Sequence, residues 1–457
     1  MALAVTQDVI ASSEHRVVVG LGVTGLSCAR YLHRRGIPFS VVDTRREPPG
    51  LVALRGEMPE VKIYTGVYPL SLVENASELI VSPGVAMDDP LVHHAREADV
   101  AVVGDVDLFM REAAAPVIGI TGSNAKSTVT ELVGQMAKAS RLDVGVGGNL
   151  GTPALDLLAD SRQLYVLELS SFQLERAGTL GLEVATVLNI SADHLDRHGN
   201  MPAYHQAKHR IFRGCRKAVV HRDDPLTIPL VGAEVDVLSW RLGEPELHGF
   251  GLRVIDGREW LCRAFEALLP VDAMGIVGRH NVANALAALA LGASVGLDEQ
   301  AMLATLRNFA GLPHRCQLVA EIGGVRYVDD SKGTNIGATE AALAGLGAER
   351  NLILIAGGQA KGADFRLLRE TVARYCKLLV LIGEDADQLE QALGDCAPVT
   401  RASGMERAVQ AAAAEAQPGE TVLLSPACAS FDMFSGYVAR GEAFRDAVAA
   451  LGGGGHG

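Results

Sequence analysis

Short runs of β-branched and aliphatic residues alternate with helical patterns along most of the chain. Near the N-terminus the apolar runs are 16–19, 39–42 and 78–81, and an amphipathic pattern over 24–35 separates the first two. Strands that alternate with helices in this way are typical of a parallel sheet that helices cover on both faces. The first part of the chain therefore predicts a parallel α/β domain.

The same alternation returns twice further along the chain. A second block begins at the apolar run 116–118 and contains strand-like runs at 164–167, 185–188 and 218–220, a stretch over 231–271 that we expect to be antiparallel, and an Ala- and Leu-rich helix over 280–295. A third block contains strand-like runs at 351–355, 377–381 and 421–424. A chain of this length commonly holds two to four domains, and the three blocks predict an α/β protein of three domains.

Composition narrows the class of protein. With 48% apolar residues the chain can bury full cores, and its net charge of −13 argues against non-specific binding to nucleic acid or to an anionic membrane. Its seven cysteines are scattered and form no C-x-x-C pair, which is typical of reduced thiols. We therefore expect a cytoplasmic protein that binds neither nucleic acid nor membrane and holds any anionic ligand with local basic side chains.

The most informative motif is the sequence GITGSNAKST at 119–128, which lies between a strand-like run and a helical pattern. A loop that leaves a strand and begins a helix directs backbone N–H groups and the positive end of the helix dipole at one point. Lys126 adds a charge for the β- and γ-phosphates, and Ser127 adds a hydroxyl for Mg²⁺. We therefore predict a nucleoside triphosphate site formed by Gly122, Ser123, Asn124, Ala125, Lys126, Ser127 and Thr128.

This loop departs from the general Walker pattern in two ways. Gly122 lies four residues before Lys126 rather than six, and Ala125 stands where glycine is usual. A Cβ at position 125 is tolerable only where φ is negative and the phosphate does not need the space, so we expect a negative φ there. Ala125 also leaves open the hypothesis of a binding or regulatory protein that turns over slowly.

A second glycine motif, GLGVTG at 20–25, follows a predicted strand and precedes a helix. Asp43 lies 18 residues beyond the last of these glycines, at the end of the next strand. This is the dinucleotide-binding fingerprint, which by itself favours NAD and a nicotinamide oxidoreductase. A purely structural turn and a different nucleotide on the same fold are the alternatives. In the last case Thr44 and Arg45 meet a phosphate or a base edge, and Gly84 follows the third strand at the same sheet edge.

Other polar side chains lie at predicted strand or helix ends. Glu168 ends the strand-like run 164–167 and fits the carboxylate that phosphate-loop proteins place near Mg²⁺. His194 is expected in the first turn of a helix, where it binds a metal or a phosphate or serves the structure alone. Asn281 and Asn284 lie on one helix face and can offer amide groups to a base.

In the third block, loops after successive strands gather Lys332, Thr334, Lys361 and Ser430 at one edge of the predicted sheet. Two cations and two hydroxyls form a suitable receptor for a small dicarboxylate. The sequence GLPHR at 311–315 is typical of an interdomain hinge with a cation beside it.

These motifs, in this order and over nearly the whole chain, resemble the Mur ligases of peptidoglycan synthesis. The matching segments are 20–27, 43–45, 120–130, 147–149, 166–175, 193–197, 207–208, 280–281, 312–315, 330–335 and 425–430. The resemblance implies three domains: a Rossmann-like N-terminal domain (1–104) for the UDP moiety, a central P-loop domain (105–311) for ATP, and a Rossmann-like C-terminal domain (312–457) that receives the amino acid. It therefore replaces NAD by uridine diphosphate in the first domain.

The activity that the resemblance implies is that of a monomeric ATP-dependent ligase. Such an enzyme joins D-glutamate to UDP-N-acetylmuramoyl-L-alanine through an acyl phosphate, with ATP and two Mg²⁺ ions. Besides Ala125, the chain departs from the family pattern at Gly333, where alanine is usual, at 359–360, where Asp-Gly is usual, and at Tyr437, where Phe is usual. None of these departures removes a charged catalytic group.

The resemblance also implies roles for single residues. The catalytic residues are Lys126, Glu168, His194 and Lys208. One Mg²⁺ is held by Ser127 and Glu168, and a second by His194 and a carbamylated Lys208. Beyond the loop, ATP meets Asn281, Asn284, Arg315, Asp330 and Lys332. The UDP-sugar meets Val23, Thr24, Asp43, Thr44, Arg45, Gly84, Asn149, Ser170 and His194. D-Glutamate meets Thr334, Lys361, Ser430 and Phe431.

Overall fold

A computed structural model describes residues 15–67, 69–149, 151–360 and 362–453. The chain divides into two compact units. The first contains residues 1–119, 143–183 and 213–215, and the second contains 120–142, 184–212 and 216–457. Within the described residues, none of the helices is both long and apolar enough to cross a membrane.

The strands of the described chain are β1 (Arg16–Val19), β2 (Phe39–Asp43), β3 (Lys62–Thr65), β4 (Glu78–Val81), β5 (Ala101–Val103), β6 (Val117–Thr121), β7 (Val144–Gly148), β8 (Leu164–Glu168), β9 (Val184–Val187), β10 (Lys217–His221), β11 (Asp236–Trp240), β12 (Gly249–Ile255), β13 (Arg258–Arg263), β14 (Glu266–Pro270), β15 (Gln317–Ile322), β16 (Val325–Asp329), β17 (Leu352–Gly357), β18 (Cys376–Ile382), β19 (Val399–Arg401) and β20 (Thr421–Leu424).

The helices are α1 (Val23–Arg34), α2 (Leu51–Glu57), α3 (Ser71–Glu74), α4 (Pro90–Glu97), α5 (Asp105–Glu112), α6 (Lys126–Ala139), α7 (Ser171–Arg176), α8 (Leu195–His198), α9 (Met201–His209), α10 (Arg279–Ser294), α11 (Glu299–Asn308), α12 (Ile336–Leu346), α13 (Arg369–Tyr375), α14 (Ala386–Leu393), α15 (Met405–Glu415) and α16 (Tyr437–Gly453). Short 3-10 helices lie at Ala154–Leu157, Arg210–Phe212, Pro225–Thr227, Val271–Ala273 and Phe365–Leu368.

In the first unit, a parallel sheet has the strand order β3-β2-β1-β4-β5. The central strand β1 is buried on both faces, which explains its uninterrupted valine sequence. The strand order reverses at β1, and in open α/β sheets ligands bind at such a point. The predicted N-terminal α/β fold is confirmed. The same unit contains the parallel pair β7 and β8, followed by helix α7.

In the second unit, β9, β10, β11 and β12 pair in parallel, and β12, β13 and β14 continue as an antiparallel meander. The antiparallel expectation for 231–271 is therefore right for β12–β14 and wrong for β11. The segment between β10 and β11 is long enough for a crossover connection, which parallel pairing requires. The turn between β12 and β13 is Asp256-Gly257, with φ of +51° and +77°, the conformation that favours a tight hairpin.

A six-stranded sheet in the second unit has the order β15-β16-β20-β17-β18-β19. Only the edge pair β15 and β16 is antiparallel, and a Gly323-Gly324 turn with positive φ at both residues joins it. Because β16, β20 and β17 are adjacent and parallel, the loops after them lie at one edge of the sheet. The predicted strands β17, β18 and β20 are confirmed, whereas β15, β16 and β19 were not expected from the sequence.

We predict that Gly25→Ala destabilises the N-terminal sheet. A Cβ at Gly25 would lie 1.8 Å from the carbonyl oxygen of Gly20, so α1 would have to move away from the turn after β1. Overpacking of this kind costs about 1–3 kcal/mol or more. The matched control is Gly22→Ala, because no atom lies within 4 Å of a Cβ built there. Chemical denaturation should show a large loss in the free energy of unfolding for Gly25→Ala and a small change for Gly22→Ala. Equal free energies of unfolding for the two variants would contradict the prediction.

Candidate active site

A cavity of about 440 Å³ in the second unit brings together most of the residues predicted to bind ATP. Its lining includes the predicted residues Asn124, Ala125, Thr128, Asn281, Asn284, Arg315, Asp330 and Lys332. Gly122, Ser123, Lys126 and Ser127 belong to the adjoining loop and the start of α6 but are not among the lining residues. The loop, helix α10 and the segment after residues 311–313 therefore meet at one place.

The phosphate loop is held in shape by the segment that follows β9. The N–H of Ser123 donates to Asn189 O (2.9 Å), and the N–H of Asn124 donates to Asn189 Oδ1 (2.8 Å). The hydroxyl of Ser123 donates to Ser191 O at 2.9 Å and accepts from Ser191 N at 2.9 Å. These bonds fix the backbone of the loop at Ser123 and Asn124.

Ala125 adopts a left-handed conformation, with φ of +66° and ψ of −8°, immediately before α6. The expectation of a negative φ is therefore wrong. The reason is the tight change of direction between β6 and α6, which the bonds to Asn189 and Ser191 impose. A left-handed conformation costs a residue with a Cβ about 1–2 kcal/mol, and alanine is the smallest such residue.

Two ammonium groups converge on the loop. Lys126 Nζ donates to Gly122 O (2.8 Å) and to Ser123 O (2.9 Å). Lys208, on α9, is only 2% exposed, and its Nζ also donates to Gly122 O at 2.8 Å. The Lys208 Nζ lies 4.7 Å from the centre of the Tyr204 ring. The loop therefore carries a concentrated positive charge that suits a polyphosphate.

His194 lies directly before α8, with φ of +54°. Its expected place in the first helical turn is wrong by one residue, because a left-handed residue cannot continue a helix. Its Nε2 is 3.5 Å from Asp193 Oδ2. Asn335 donates to Asp193 Oδ2 at 3.0 Å and to Asn124 Oδ1 at 3.1 Å, so the N-cap of α12 contacts the loop.

Arg315 and Asp330 line the cavity near residues 311–313. Arg315 donates to the hydroxyl of Ser127 at 2.6 Å. Burial raises the pKa of Asp330 to about 7, although Ser425 Oγ and the N–H of Cys316 both donate hydrogen bonds to its carboxyl group. Asp330 therefore titrates near neutral pH.

The sequence did not single out a pair of stacked rings in this cavity. His221 and Trp240 end the neighbouring strands β10 and β11, and their ring centres are 3.9 Å apart with an interplanar angle of 6°. Both ring nitrogens of His221, the Trp240 indole nitrogen and Nδ1 of His280 are buried without a hydrogen-bond partner. Burial lowers the pKa of both histidines, which favours neutral rings. The flat stacked pair on the cavity wall suits a planar ligand such as a nucleobase.

Glu168, in the first unit, ends β8 as predicted and is 2% exposed. Its Oε1 accepts a hydrogen bond from Asn149 Nδ2 (2.6 Å), whereas its Oε2 is buried without a hydrogen-bond partner. A buried carboxylate oxygen without a donor is costly unless a cation neutralises it. Ser170 caps α7, and its hydroxyl accepts from the N–H of Gln173 at 3.1 Å.

The first unit contains a second cavity of about 450 Å³, which we call the N-terminal cavity. Its lining includes the predicted residues Val23, Thr24, Asp43, Thr44, Arg45 and Gly84, but neither Asn149 nor Ser170. The cavity lies at the point where the order of the strands reverses, since residues after β1, β2 and β4 form its wall.

Asp43 organises the turn after β2. Its Oδ1 accepts from the N–H of Arg45 at 2.8 Å and from Arg45 Nε at 2.9 Å. Its Oδ2 accepts from the N–H of Leu21 and from Arg45 Nη2, both at 2.7 Å. Burial by itself raises the pKa of Asp43, but the bonds from Arg45 and Leu21 outweigh it, so the net pKa is lowered. The four main acceptor positions of this carboxylate are occupied within the protein.

The residues predicted for the amino acid lie in loops of the six-stranded sheet. Thr334 follows β16, and Ser430 and Phe431 follow β20, so their backbone segments share one sheet edge. Ser430 is buried, whereas Phe431 is 70% exposed. Lys361 lies outside the described residues.

A buried arginine that the sequence analysis did not identify holds this edge together. Arg440, on α16, donates from Nη2 to Ser331 O at 2.8 Å and from Nη1 to Cys428 O at 3.1 Å. Burial lowers the pKa of Arg440 to about 10. An arginine among small and apolar residues of a helix is the one signal in the sequence that could have indicated it.

Comparisons with known proteins agree with this architecture. Three family models match the chain, described as Mur ligase MurD-like, N-terminal domain over 14–104, Mur ligase middle domain over 120–292, and Mur ligase, glutamate ligase domain over 314–428. The UDP-N-acetylmuramoylalanine–D-glutamate ligase of Pseudomonas aeruginosa is 55% identical over 446 residues, which are 97% of this chain and 100% of the relative. That of Hahella chejuensis is 50% identical with the same coverage of both chains.

Solved structures show the same fold at lower identity. The MurF ligase of Thermotoga maritima in complex with ADP has a TM-score of 0.59 and 17% identity and covers 96% of each chain. A pseudomurein peptide ligase type C from Methanothermus fervidus also has a TM-score of 0.59, with 18% identity over 96% of this chain and 100% of its own. With matches to all three family models and to these relatives over nearly its full length, the chain belongs to the Mur ligase family.

Proposed function

We propose that this chain is an ATP-dependent ligase that joins D-glutamate to UDP-N-acetylmuramoyl-L-alanine in peptidoglycan precursor synthesis. The names of relatives that are 50% and 55% identical over nearly the whole chain support the choice of substrates. The structural observation that carries the proposal is the phosphate loop with the ammonium groups of Lys126 and Lys208 on Gly122 O. The adjoining cavity, with its amides and stacked rings, is suited to the base of ATP.

The proposed reaction has two chemical steps. The carboxylate of the alanyl group attacks the γ-phosphate of ATP, which gives an acyl phosphate and ADP. The amine of D-glutamate then attacks the acyl carbon, and phosphate leaves as the amide forms. A carboxylate is a poor electrophile and its oxygen is a poor leaving group, and phosphorylation removes both obstacles.

The protein contributes position and charge to the phosphoryl transfer. The ammonium group of Lys126 binds the transferred phosphoryl group, and the N–H groups at the start of α6 bind the neighbouring phosphate oxygens. The charge that develops during transfer therefore meets the Lys126 cation, which Gly122 O already holds at the loop. Asn284 Nδ2 donates a hydrogen bond to Asn281 Oδ1 at 3.2 Å. In the proposal, the two side chains offer their remaining amide donors and acceptors to the base.

Residues with hard oxygen atoms fit a role for Mg²⁺. The unpaired Oε2 of Glu168 is the strongest such feature, because Mg²⁺ prefers carboxylate oxygens. The hydroxyl of Ser127 is the other proposed ligand of that ion. His194 and a carbamylated Lys208 are the proposed ligands of a second Mg²⁺ ion. Bound Mg²⁺ would supply positive charge that neutralises the phosphate oxygens during transfer.

The chain must also keep water from the acyl phosphate. Residues before and after the 311–313 hinge line one cavity, so rotation at Leu312 and Pro313 would admit the nucleotide and then enclose it. In the C-terminal loops, Thr334, Ser430, Phe431 and Lys361 are the proposed receptor for D-glutamate.

The nicotinamide hypothesis explains the glycine motif of the first unit but nothing after residue 104. It also needs a free carboxylate at Asp43 to accept the ribose hydroxyls. Those acceptor positions are already filled by Leu21 and Arg45. In the proposal, the N-terminal cavity holds uridine diphosphate, which meets Arg45 and the loop at Gly84.

The central prediction concerns substrate dependence. Release of phosphate from ATP should require UDP-N-acetylmuramoyl-L-alanine, D-glutamate and Mg²⁺ together, and a coupled ADP assay across candidate amino acids should select D-glutamate. Lys126→Ala should lower kcat by about 10²–10³-fold or more, because it removes a cation from the transferred group. Lys138→Ala, on the exposed side of the same helix, is the control and should keep full activity. Turnover that does not depend on the amino acid would overturn the proposal.

Nucleotide binding should be visible in the fluorescence of Trp240. The chain contains two tryptophans, so Trp260→Phe leaves Trp240, which lines the cavity, as the single tryptophan. Titration of that variant with ADP and Mg²⁺ should change its emission to a saturating limit. Trp240→Phe, which leaves Trp260 on β13, is the matched control and should show little change. ADP binding detected by calorimetry without a response of Trp240 would place the nucleotide elsewhere.

Ala125→Gly tests the hypothesis of slow turnover. Because the loop already has the left-handed conformation, glycine should relieve strain and raise the free energy of unfolding by about 1 kcal/mol without changing kcat. Ala139→Gly, at the exposed end of the same helix, should bring no such gain. A large rise in kcat for Ala125→Gly would instead favour a protein in which this alanine impairs catalysis.

A further inference from the structure

Arg176, the last residue of α7, is a buried cation that none of the roles above uses. Its side chain is 0% exposed. Its Nε donates to Phe172 O at 2.9 Å within its own helix. The rest of its guanidinium group lies against the loop that follows β4.

The guanidinium group binds four carbonyl oxygens, one from the last residue of β4 and three from that loop. Nη1 donates to Val81 O at 3.0 Å and to Ser82 O. Nη2 donates to Pro83 O at 3.2 Å and to Val85 O at 3.0 Å. Together with the bond to Phe172, these contacts match the five N–H donors of an arginine.

The loop at 82–85 forms part of the wall of the N-terminal cavity, whereas Arg176 is not one of the lining residues. The C=O and N–H groups of a trans peptide point in opposite directions, and the described chain has no cis peptide bonds. The bond to Pro83 O therefore turns the N–H of Gly84 away from Arg176. The arginine thus determines which backbone groups the loop can offer to a ligand.

The other end of α7 leads to the predicted substrate residues. Ser170 is its N-cap, and Glu168 lies two residues earlier. Gln173, in the middle of the helix, donates from Nε2 to Asp105 Oδ2 at 3.0 Å. The glycine at 104 leaves room for Arg176, since a Cβ there would lie 3.1 Å from Arg176 Cγ. Helix α7 therefore links the segment with Ser170 to the loop with Gly84 through one side chain.

We propose that Arg176 is a positioning residue for the nucleotide part of the UDP-sugar substrate. It holds the 82–85 loop in the conformation that binds the nucleotide and fixes that loop to α7. The inference rests on the proposed function, because it takes the N-terminal cavity as the site for uridine diphosphate. The inference assigns Arg176 to the binding of the UDP-sugar and not to phosphoryl transfer.

Lysine cannot replace arginine in this role. An ammonium group donates from a single point, whereas the four carbonyl oxygens come from a segment of five residues and are met by two separate nitrogens. Arg176→Lys keeps the charge but leaves some of these carbonyls without a donor. The loop should then lose its fixed conformation while the buried charge remains.

The test compares the full-length wild type with Arg176→Lys, Arg176→Met and the control Arg162→Lys. Arg162 lies in the same unit, pairs with Asp143 and also donates to a backbone carbonyl, that of Leu157 at 3.3 Å, but it does not line the N-terminal cavity. Calorimetry with UDP-N-acetylmuramoyl-L-alanine in the absence of ATP gives the Kd. Steady-state kinetics give kcat and the KM for each substrate, and thermal unfolding reports the fold.

We expect Arg176→Lys to raise the Kd and the KM for the UDP-sugar about tenfold or more, since bonds from a charged donor are lost. The kcat at saturation and the KM for ATP should stay near the wild-type values, and Arg162→Lys should change none of them. Folded Arg176→Lys with wild-type affinity would overturn the inference. Equal losses in kcat and in both KM values, or unfolding of both Arg176 variants, would also overturn it. A wild type that does not bind the UDP-sugar would instead refute the proposed function.

Discussion

Cations that bind backbone carbonyl oxygens hold three of the loop regions on which the proposed sites depend. Arg176 binds the loop after β4, Lys126 and Lys208 bind the loop after β6, and Arg440 binds the loops of the six-stranded sheet. Loops at the carboxyl ends of parallel strands leave carbonyl groups without ladder partners, and burying them unpaired is costly. A charged donor satisfies them with stronger bonds than a neutral one. These cations therefore fix the conformation of the loops that form the ligand sites.

The same arrangement resolves a conflict between the charge of the chain and that of its proposed substrates. A protein with a net charge of −13 repels nucleotides and D-glutamate on average. Lys126 and Lys208 supply a local field of the opposite sign, and Gly122 O keeps both ammonium groups at the loop.

Much of this structure could be predicted from local sequence, and the remainder could not. The alternating strands and the glycine motifs predict the three-domain α/β fold, which is confirmed, because the sheet period and turn chemistry are local. The expected sign of φ at Ala125 was wrong, because hydrogen bonds to residues distant in the sequence determine that angle. Arg176 and Arg440 resemble surface cations in helical sequence, and only the fold shows their carbonyl partners. The individual roles of the site residues remain predictions.

The glycine motif of the first unit shows why a pattern can specify a turn and still leave its ligand open. Gly20 and Gly25 are required by geometry, since α1 approaches the turn so closely that a Cβ at position 25 would overlap a backbone oxygen. That requirement is the same for any nucleotide bound on this fold. The acidic residue after β2 is where the ligands differ, and here Asp43 is occupied by Leu21 and Arg45. Whether Asp43 can accept a ribose hydroxyl therefore depends on the partners of one carboxylate, which spacing along the chain cannot reveal.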